Sequence, residues 1–223
     1  MKHRTPQRGR QRRAQEHPLR REQLRQHLAE VAARIFVEEG AASFHAAKLK
    51  AAERLGVADA KHLPSNDELE AAVLAYQNLF HRDRHSTVLR TLREAALQAM
   101  RFFDAYSPRL VGSVLSGTAQ THSDINLHVF CDSPERIELY LVDNKIPFER
   151  SNKRYFMSNG QPTTVPTLGF VANDVAIDVA VFPANGLREA PRSTLNGEPI
   201  KRASQKAVAA LLAEQAGGQE SSD

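Results

Sequence analysis

Apolar residues in the first half of the chain recur three and four positions apart, which is the spacing of one face of an α-helix. The first stripe, which Gly40 ends, consists of Leu24, Leu28, Val31, Ile35 and Phe36. A second helix is predicted over residues 44–55. Ser65 followed by Glu68 is a capping box, so a third helix begins there. Residues 66–106 contain neither Gly nor Pro, so the third helix and a fourth could form one rod.

Beyond Pro108 the pattern changes to short β-rich runs. The predicted strands cover residues 110–115, 124–131, 154–157, 165–172 and 175–182. Helices are predicted over 134–145, which opens with a proline, and over 203–214. The pairs Asn159-Gly160 and Asn173-Asp174 are typical of tight turns between strands.

Together these patterns predict an α+β protein, with a helical N-terminal half followed by a small mixed β-sheet domain with flanking helices. Residues 1–19 are predicted to be a disordered basic tail and residues 20–107 a helical region. An α/β domain is expected over residues 108–216, and a disordered tail over residues 217–223.

Composition limits the classes of protein that the chain can belong to. Its 223 residues include a single cysteine, Cys131, which excludes an internal disulfide and a multi-cysteine zinc site and favours a reducing compartment. No apolar run approaches the roughly 20 residues of a membrane span, and the N-terminus lacks the apolar stretch of a signal peptide. We therefore expect a cytoplasmic protein with no membrane partner.

Positive charge is concentrated at the N-terminus. The first 25 residues contain nine Lys and Arg against two Glu, whereas the whole chain carries a net charge of only +4. An arm of this composition is suited to the phosphate backbone of a nucleic acid. A solvated leader without a partner is the alternative.

The most informative segment covers residues 112–127. A strand leads into Gly112, a loop of small residues follows, and the next strand begins at Asp124. Glycines at 112 and 117 let the backbone approach a ligand closely, and Ser113 adds a hydroxyl, so the loop could hold a phosphate. A glycine-containing hairpin loop with an exposed aspartate is the simpler alternative.

Alternation along two strands separates apolar from polar side chains. One face of the strand at 124–131 carries Ile125, Leu127 and Val129, and the other carries Asp124, Asn126 and His128. The apolar set should face the core, so the polar set is expected to line a cleft or meet solvent. The strand at 175–182 places Asp178 between Ala176 and Ala180 on one face. A carboxylate in such a strand needs a partner, either a metal ion or a structural hydrogen bond.

The segment resembles the signature of the DNA polymerase β-like nucleotidyltransferase superfamily, in its minimal nucleotidyltransferase-like form. That signature has Gly-Ser, often a second Gly five positions after the first, and an Asp-x-Asp pair whose first member lies about twelve positions after the first Gly. Gly112, Ser113, Gly117 and Asp124 match in type and spacing, and Ser123-Asp124-Ile125 matches the usual Ser-Asp-Ile.

The resemblance implies a carboxylate cluster that holds Mg²⁺ or Mn²⁺ against the phosphates of a nucleoside triphosphate. Its catalytic residues would be Asp124, Asn126 and Asp178, with Asp124 and Asp178 as the metal ligands. The nucleotide-binding residues would be Gly112, Ser113, Ser116 and Gly117.

This chain departs from the family pattern at the second aspartate, which is Asn126. A neutral amide oxygen is a poorer Mg²⁺ ligand than a carboxylate. One hypothesis is therefore a nucleotidyltransferase that transfers a nucleoside monophosphate to a hydroxyl acceptor. The alternative is a catalytically degenerate nucleotidyltransferase fold that binds nucleotide or nucleic acid. A helical interaction scaffold is a third hypothesis. The sequence lacks the glycine-lysine loop of P-loop ATPases and the His-Glu-x-x-His metal motif.

Overall fold

A computed structural model describes residues 8–57, 62–193 and 197–220 of the chain. These residues form two compact units, Met1–Phe80 and His81–Asp223, each with its own contacts. Helices occupy the N-terminal half and a five-stranded mixed sheet with helices follows, so the predicted α+β class is confirmed.

The described residues of the first unit include three α-helices, which are α1 (Arg8–Glu38), α2 (Phe44–Arg54) and α3 (Asn66–Phe80). Leu28 and Ile35 of α1 and Leu69 and Val73 of α3 are fully buried in its core. Alanines such as Ala51 fill the remaining positions, and their small side chains let the helices pack closely. Helix α1 begins at Arg8, inside the segment predicted to be a tail, and residues 1–7 of that tail lie outside the described residues.

The predicted capping box at the start of α3 is confirmed. The Glu68 backbone N–H donates to Ser65 Oγ over 3.0 Å, and the Ser65 N–H donates to Glu68 Oε2 over 2.7 Å. Ser43 caps α2 in a similar way, because its Oγ accepts from the Ala46 N–H over 3.1 Å. These side chains satisfy backbone donors that the first turn of a helix leaves without an intrahelical partner.

The third and fourth helices are separate. Helix α4 (Arg82–Phe102) is separated from α3 by one residue, His81, whose φ of −138° is not helical. Helix α4 belongs to the second unit, where Leu92, Met100 and Phe103 are buried in the sheet core. The two compact units thus divide before α4, whereas the sequence pattern placed the boundary after residue 107.

The second unit contains a five-stranded sheet in the order β1-β2-β5-β4-β3. Its strands are β1 (Arg109–Val111), β2 (Ile125–Phe130), β3 (Glu149–Phe156), β4 (Pro162–Ala172) and β5 (Val175–Phe182). Helices α5 (Ser113–Ser116), α6 (Pro134–Asp143) and α7 (Gln205–Glu220) complete the unit. Strands β2 and β5 are parallel, whereas β1–β2, β5–β4 and β4–β3 are antiparallel.

The strand predictions differ from the structure in three places, one of which is β4, which begins at Pro162 and not at residue 165. The first strand ends at Val111, and residues 113–116 turn into α5 because Gly112 redirects the backbone. Strand β3 is longer than predicted, beginning at Glu149. It is an edge strand and most of its residues are exposed, so it lacks the apolar alternation that would have marked its start.

The two faces of the sheet are packed differently. One face, which includes Leu127 and Val179, joins residues of α4, α6 and α7 in the main core. The other face carries a smaller cluster of Phe130, Val165, Ala180 and Phe182, packed against Tyr155. This second face also carries the polar residues of β2 and β5 and is the face that matters for the predicted chemistry.

Candidate functional site

The loop that follows β1 is a compact turn set by two glycines. Gly112 has φ 75° and ψ −157°, a conformation that is essentially restricted to glycine, and Gly117 has φ 91°. The Gly112 carbonyl accepts from the Ser116 N–H over 3.0 Å, and the Ser113 carbonyl accepts from Gly117 and Thr118 over 2.9 and 3.0 Å. The glycine spacing seen in the sequence therefore corresponds to a single closed turn.

Two of the four predicted nucleotide-binding residues are engaged within this turn. The Ser116 hydroxyl lies 3.0 Å from the Thr118 hydroxyl, and Gly117 is buried. Gly112 is exposed and Ser113 is half-buried. A ligand can therefore reach Gly112 and Ser113, whereas Ser116 and Gly117 hold the loop in shape.

Helix α4 contacts the loop at residues 112–118 and holds it in place. The buried Arg93 guanidinium donates to the carbonyl oxygens of Val114 over 3.2 Å and Leu115 over 3.4 Å. His85 lies against the same loop, where burial lowers its pKa and the backbones of Gly117 and Ala119 act in the opposite direction. The loop is thus positioned by α4 as well as by its own hydrogen bonds.

The sheet brings three predicted site residues together. Asn126 on β2 and Asp178 on β5 are direct partners in the parallel register, so both lie on the same face. Gly112 is next to Asn126, because a Cβ at position 112 would lie 3.6 Å from Asn126 Nδ2. Asn126 therefore lies beside both Gly112 and Asp178 in the fold.

Asp178 has a partner that the sequence pattern did not indicate. Lys153 Nζ on β3 donates to Asp178 Oδ2 over 2.6 Å. The other carboxylate oxygen lies 3.2 Å from where a Cβ on Gly169 of β4 would stand. Because β4 and β3 both lie on the far side of β5 from β2, the carboxylate leans away from Asn126.

Asp124 is exposed immediately before β2, and its carbonyl oxygen accepts from Asn126 Nδ2 over 3.3 Å. Within residues 8–57, 62–193 and 197–220, no three His, Cys, Asp or Glu side chains form a group that could hold a metal ion. Among the three predicted catalytic residues, Asp178 is paired with the Lys153 ammonium and Asn126 is a neutral amide. This donor set does not fit the two-metal centre that the resemblance implies.

His128 is buried rather than facing an open cleft. Only 1% of its surface is exposed, and its Nδ1 accepts from Arg202 Nε over 3.1 Å. Burial, reinforced by the positive charges of Arg202 and Lys153, lowers the pKa of His128 to about 3. His128 is therefore a neutral acceptor at physiological pH.

Arg202, in the segment before α7, covers the end of the polar face that carries His128, Phe130 and Phe182. Its guanidinium carbon lies 5.0 and 5.2 Å from the ring centres of Phe130 and Phe182, and Nη1 donates to the Gly186 carbonyl over 2.8 Å. Burial, with the charge of Arg109, lowers the Arg202 pKa to about 10. Nothing in the local sequence distinguishes this arginine from other basic residues nearby.

The first unit has a separate open groove of about 740 Å³ between α1 and α3. Its apolar end includes Leu79 and Phe80, which are 74% and 61% exposed, and Glu30 and Glu68 lie along it. Arg25 pairs with Glu68 over 3.0 Å. None of the predicted site residues lies in this groove.

Two other expectations concern the surroundings of the protein. The Arg-rich arm predicted to bind nucleic acid begins in residues 1–7, which lie outside the described part of the chain. Nucleic-acid binding by this arm stays a prediction. In the part of the chain that the structure describes, no helix combines the length and the apolar character needed to cross a bilayer.

Comparison of the chain with protein-family models, with curated proteins and with solved structures found no match.

Proposed function

We propose that the second unit is a nucleotidyltransferase-like domain that binds a nucleoside triphosphate on the polar face of β2 and β5. The observation that supports this most strongly is that Asn126 lies beside both Gly112 and Asp178. These residues come from three separate places in the sequence, and the resemblance assigns all three to one nucleotide site.

The Lys153 ammonium is the group at this place that suits an anionic ligand. The Lys153 side chain is 41% exposed although it is paired with Asp178, so solvent reaches part of this side chain. An ammonium has three donors, and one contact with Asp178 leaves capacity for a phosphate oxygen. Ser113 at the first position of α5 adds a half-buried side chain next to Gly112.

Of the two hypotheses that involve a nucleotidyltransferase fold, these contacts favour a nucleotide-binding module over a metal-dependent transferase. The transferase reaction requires divalent cations held by a carboxylate cluster. In this chain Asn126 replaces one carboxylate, and Lys153 engages another. We therefore propose nucleotide binding, and not metal-dependent nucleotidyl transfer, as the function of the domain.

Isothermal titration with the four common nucleoside triphosphates tests the proposal. Each titration of the full chain is made once with Mg²⁺ and once with EDTA, so that binding is detected whether or not it needs a metal. We expect at least one nucleotide to bind. Ser113→Glu should weaken that binding at least tenfold, because the added carboxylate repels the phosphates.

Ser113→Glu is suited to this test because an acidic residue in the first turn of a helix is compatible with helix formation. Gln161→Glu is the matched control, since it adds the same charge at an exposed turn between β3 and β4. Failure of all four nucleotides to bind, or wild-type affinity in Ser113→Glu, contradicts the proposal. Transfer of a labelled nucleoside monophosphate to an acceptor would instead establish the transferase.

A further inference from the structure

We infer that the Lys153 ammonium acts as the built-in cation of this site, so that the domain binds the triphosphate of a nucleotide without a divalent metal. This inference depends on the proposed nucleotide site and specifies how that site balances the charge of its ligand. It makes Lys153 a binding residue that the sequence motif does not contain.

The contact between Lys153 and Asp178 is the first support. Lys153 pairs with Val165 in the β3–β4 register, whereas Asp178 pairs with Gly169, so the lysine side chain reaches obliquely across β4. It ends with Nζ 2.6 Å from Asp178 Oδ2. The ammonium therefore already contacts the carboxylate that the resemblance assigns to a metal ion.

Gly169 is the second support, because its lack of a side chain leaves room for this pairing. A Cβ at position 169 would lie 3.2 Å from Asp178 Oδ1, which is tighter than ordinary van der Waals contact. Gly169 has no positive φ, so backbone conformation does not require glycine there. The small residue thus allows the carboxylate to lean toward β4 and meet Lys153.

Charge is the third support. Asn126 removes one negative charge from the metal-binding pattern, and Lys153 neutralises a second carboxylate. A site with fewer carboxylates needs less added positive charge to accept a polyphosphate. Asparagine at 126 and lysine at 153 therefore act in the same direction, because each makes the site less negative, as a bound divalent cation would.

The inference is tested by comparing nucleotide affinity with and without metal. We expect wild-type affinity for ATP, or for whichever triphosphate binds, to agree within about threefold between Mg²⁺ and EDTA. Lys153→Met should lower affinity in EDTA by roughly 10- to 100-fold, the usual range for loss of a charged hydrogen-bond donor. Lys153→Arg should retain most of the affinity, because binding requires a positive charge at this position and not a lysine in particular.

Arg150→Met is the matched control. Arg150 is also on β3 and also forms an ion pair, with Glu138, but it lies on the opposite face from Lys153. This control should bind like wild type, and circular dichroism should confirm that all variants are folded. Inorganic triphosphate should compete with the nucleotide in the wild-type protein.

Two results would overturn the inference while leaving the nucleotide site in place. One is wild-type binding that requires Mg²⁺, and the other is wild-type affinity in Lys153→Met. If no triphosphate binds under either condition, the proposed function itself fails. The titrations therefore separate failure of the metal-free mechanism from failure of the site.

Discussion

Acidification is expected to destabilise the second unit through one buried imidazole. His128 is 1% exposed and accepts a hydrogen bond from Arg202, so protonation would place a positive ring against a guanidinium. Its pKa falls from 6.5 to about 3 in the folded state, mainly because of burial. In the unfolded chain the same imidazole is in water and takes up a proton near its ordinary pKa.

The sign and size of the effect follow from this difference. Because the folded-state pKa is lowered, the unfolded state binds more protons between pH 6.5 and about pH 3. The stability contributed by neutral His128 is therefore complete above pH 6.5 and is lost as the pH falls below it. Between about pH 7.5 and about pH 4.5 the loss amounts to about 3 kcal/mol.

Urea unfolding at these two pH values measures the effect. Cys131, which is the only cysteine and is 7% exposed, reports on the second unit when its reaction with a pyridyl disulfide reagent is followed. His128→Gln keeps an acceptor for Arg202 but cannot be protonated. The difference in unfolding free energy between the two pH values should shrink by about 3 kcal/mol in this variant.

The control is His122→Gln, which removes a histidine that is exposed in the folded state and should leave the pH profile unchanged. If His128→Gln retains the full wild-type pH dependence, then His128 is protonated in the folded state and the burial argument is incorrect. Such a result would also remove the basis for treating His128 as a neutral acceptor.

Three further predictions concern backbone conformation and capping. Gly112→Ala should destabilise the second unit by about 1–3 kcal/mol in urea, because its φ of 75° with ψ −157° suits only glycine; an unchanged midpoint would argue against this turn. Asp174→Gly should stabilise the same unit by about 0.5 kcal/mol or more, since Asn173 and Asp174 have φ 50° and 62°; a lower midpoint would contradict that. Ser65→Ala should lower the stability of the first unit by about 1 kcal/mol in thermal unfolding, because it removes the α3 cap; Glu68→Ala should act in the same direction.

The parts of the fold that were predictable from sequence are those set by local patterns. Alternation placed Asn126 and Asp178 correctly on polar faces of two strands, and the Asn173-Asp174 pair indicated the turn into β5. Edge strand β3 was mostly missed because its exposed residues show no alternation. Local pattern therefore predicts buried strands better than exposed ones.

The contacts that define the site were not predictable, because they join residues far apart in sequence. Lys153 and Asp178 are 25 positions apart, and Arg202 and His128 are 74 apart. Each contact depends on strand order and on the path of the segment before α7. The sequence pattern contains neither the strand order nor the path of that segment. It therefore predicts only that Asp178 meets a metal ion or another partner and that His128 is accessible.

Nuclear magnetic resonance of the ¹⁵N-labelled protein during titration with ATP in EDTA, repeated with any other triphosphate that binds, tests the central claim most directly. We predict that the largest shifts occur at the backbone amides of Gly112, Ser113, Asn126 and Asp178, with Lys153 among the responding residues of β3. Absence of shifts for every triphosphate, or shifts confined to the first unit or to the helix-covered face of the sheet, would contradict the proposed site.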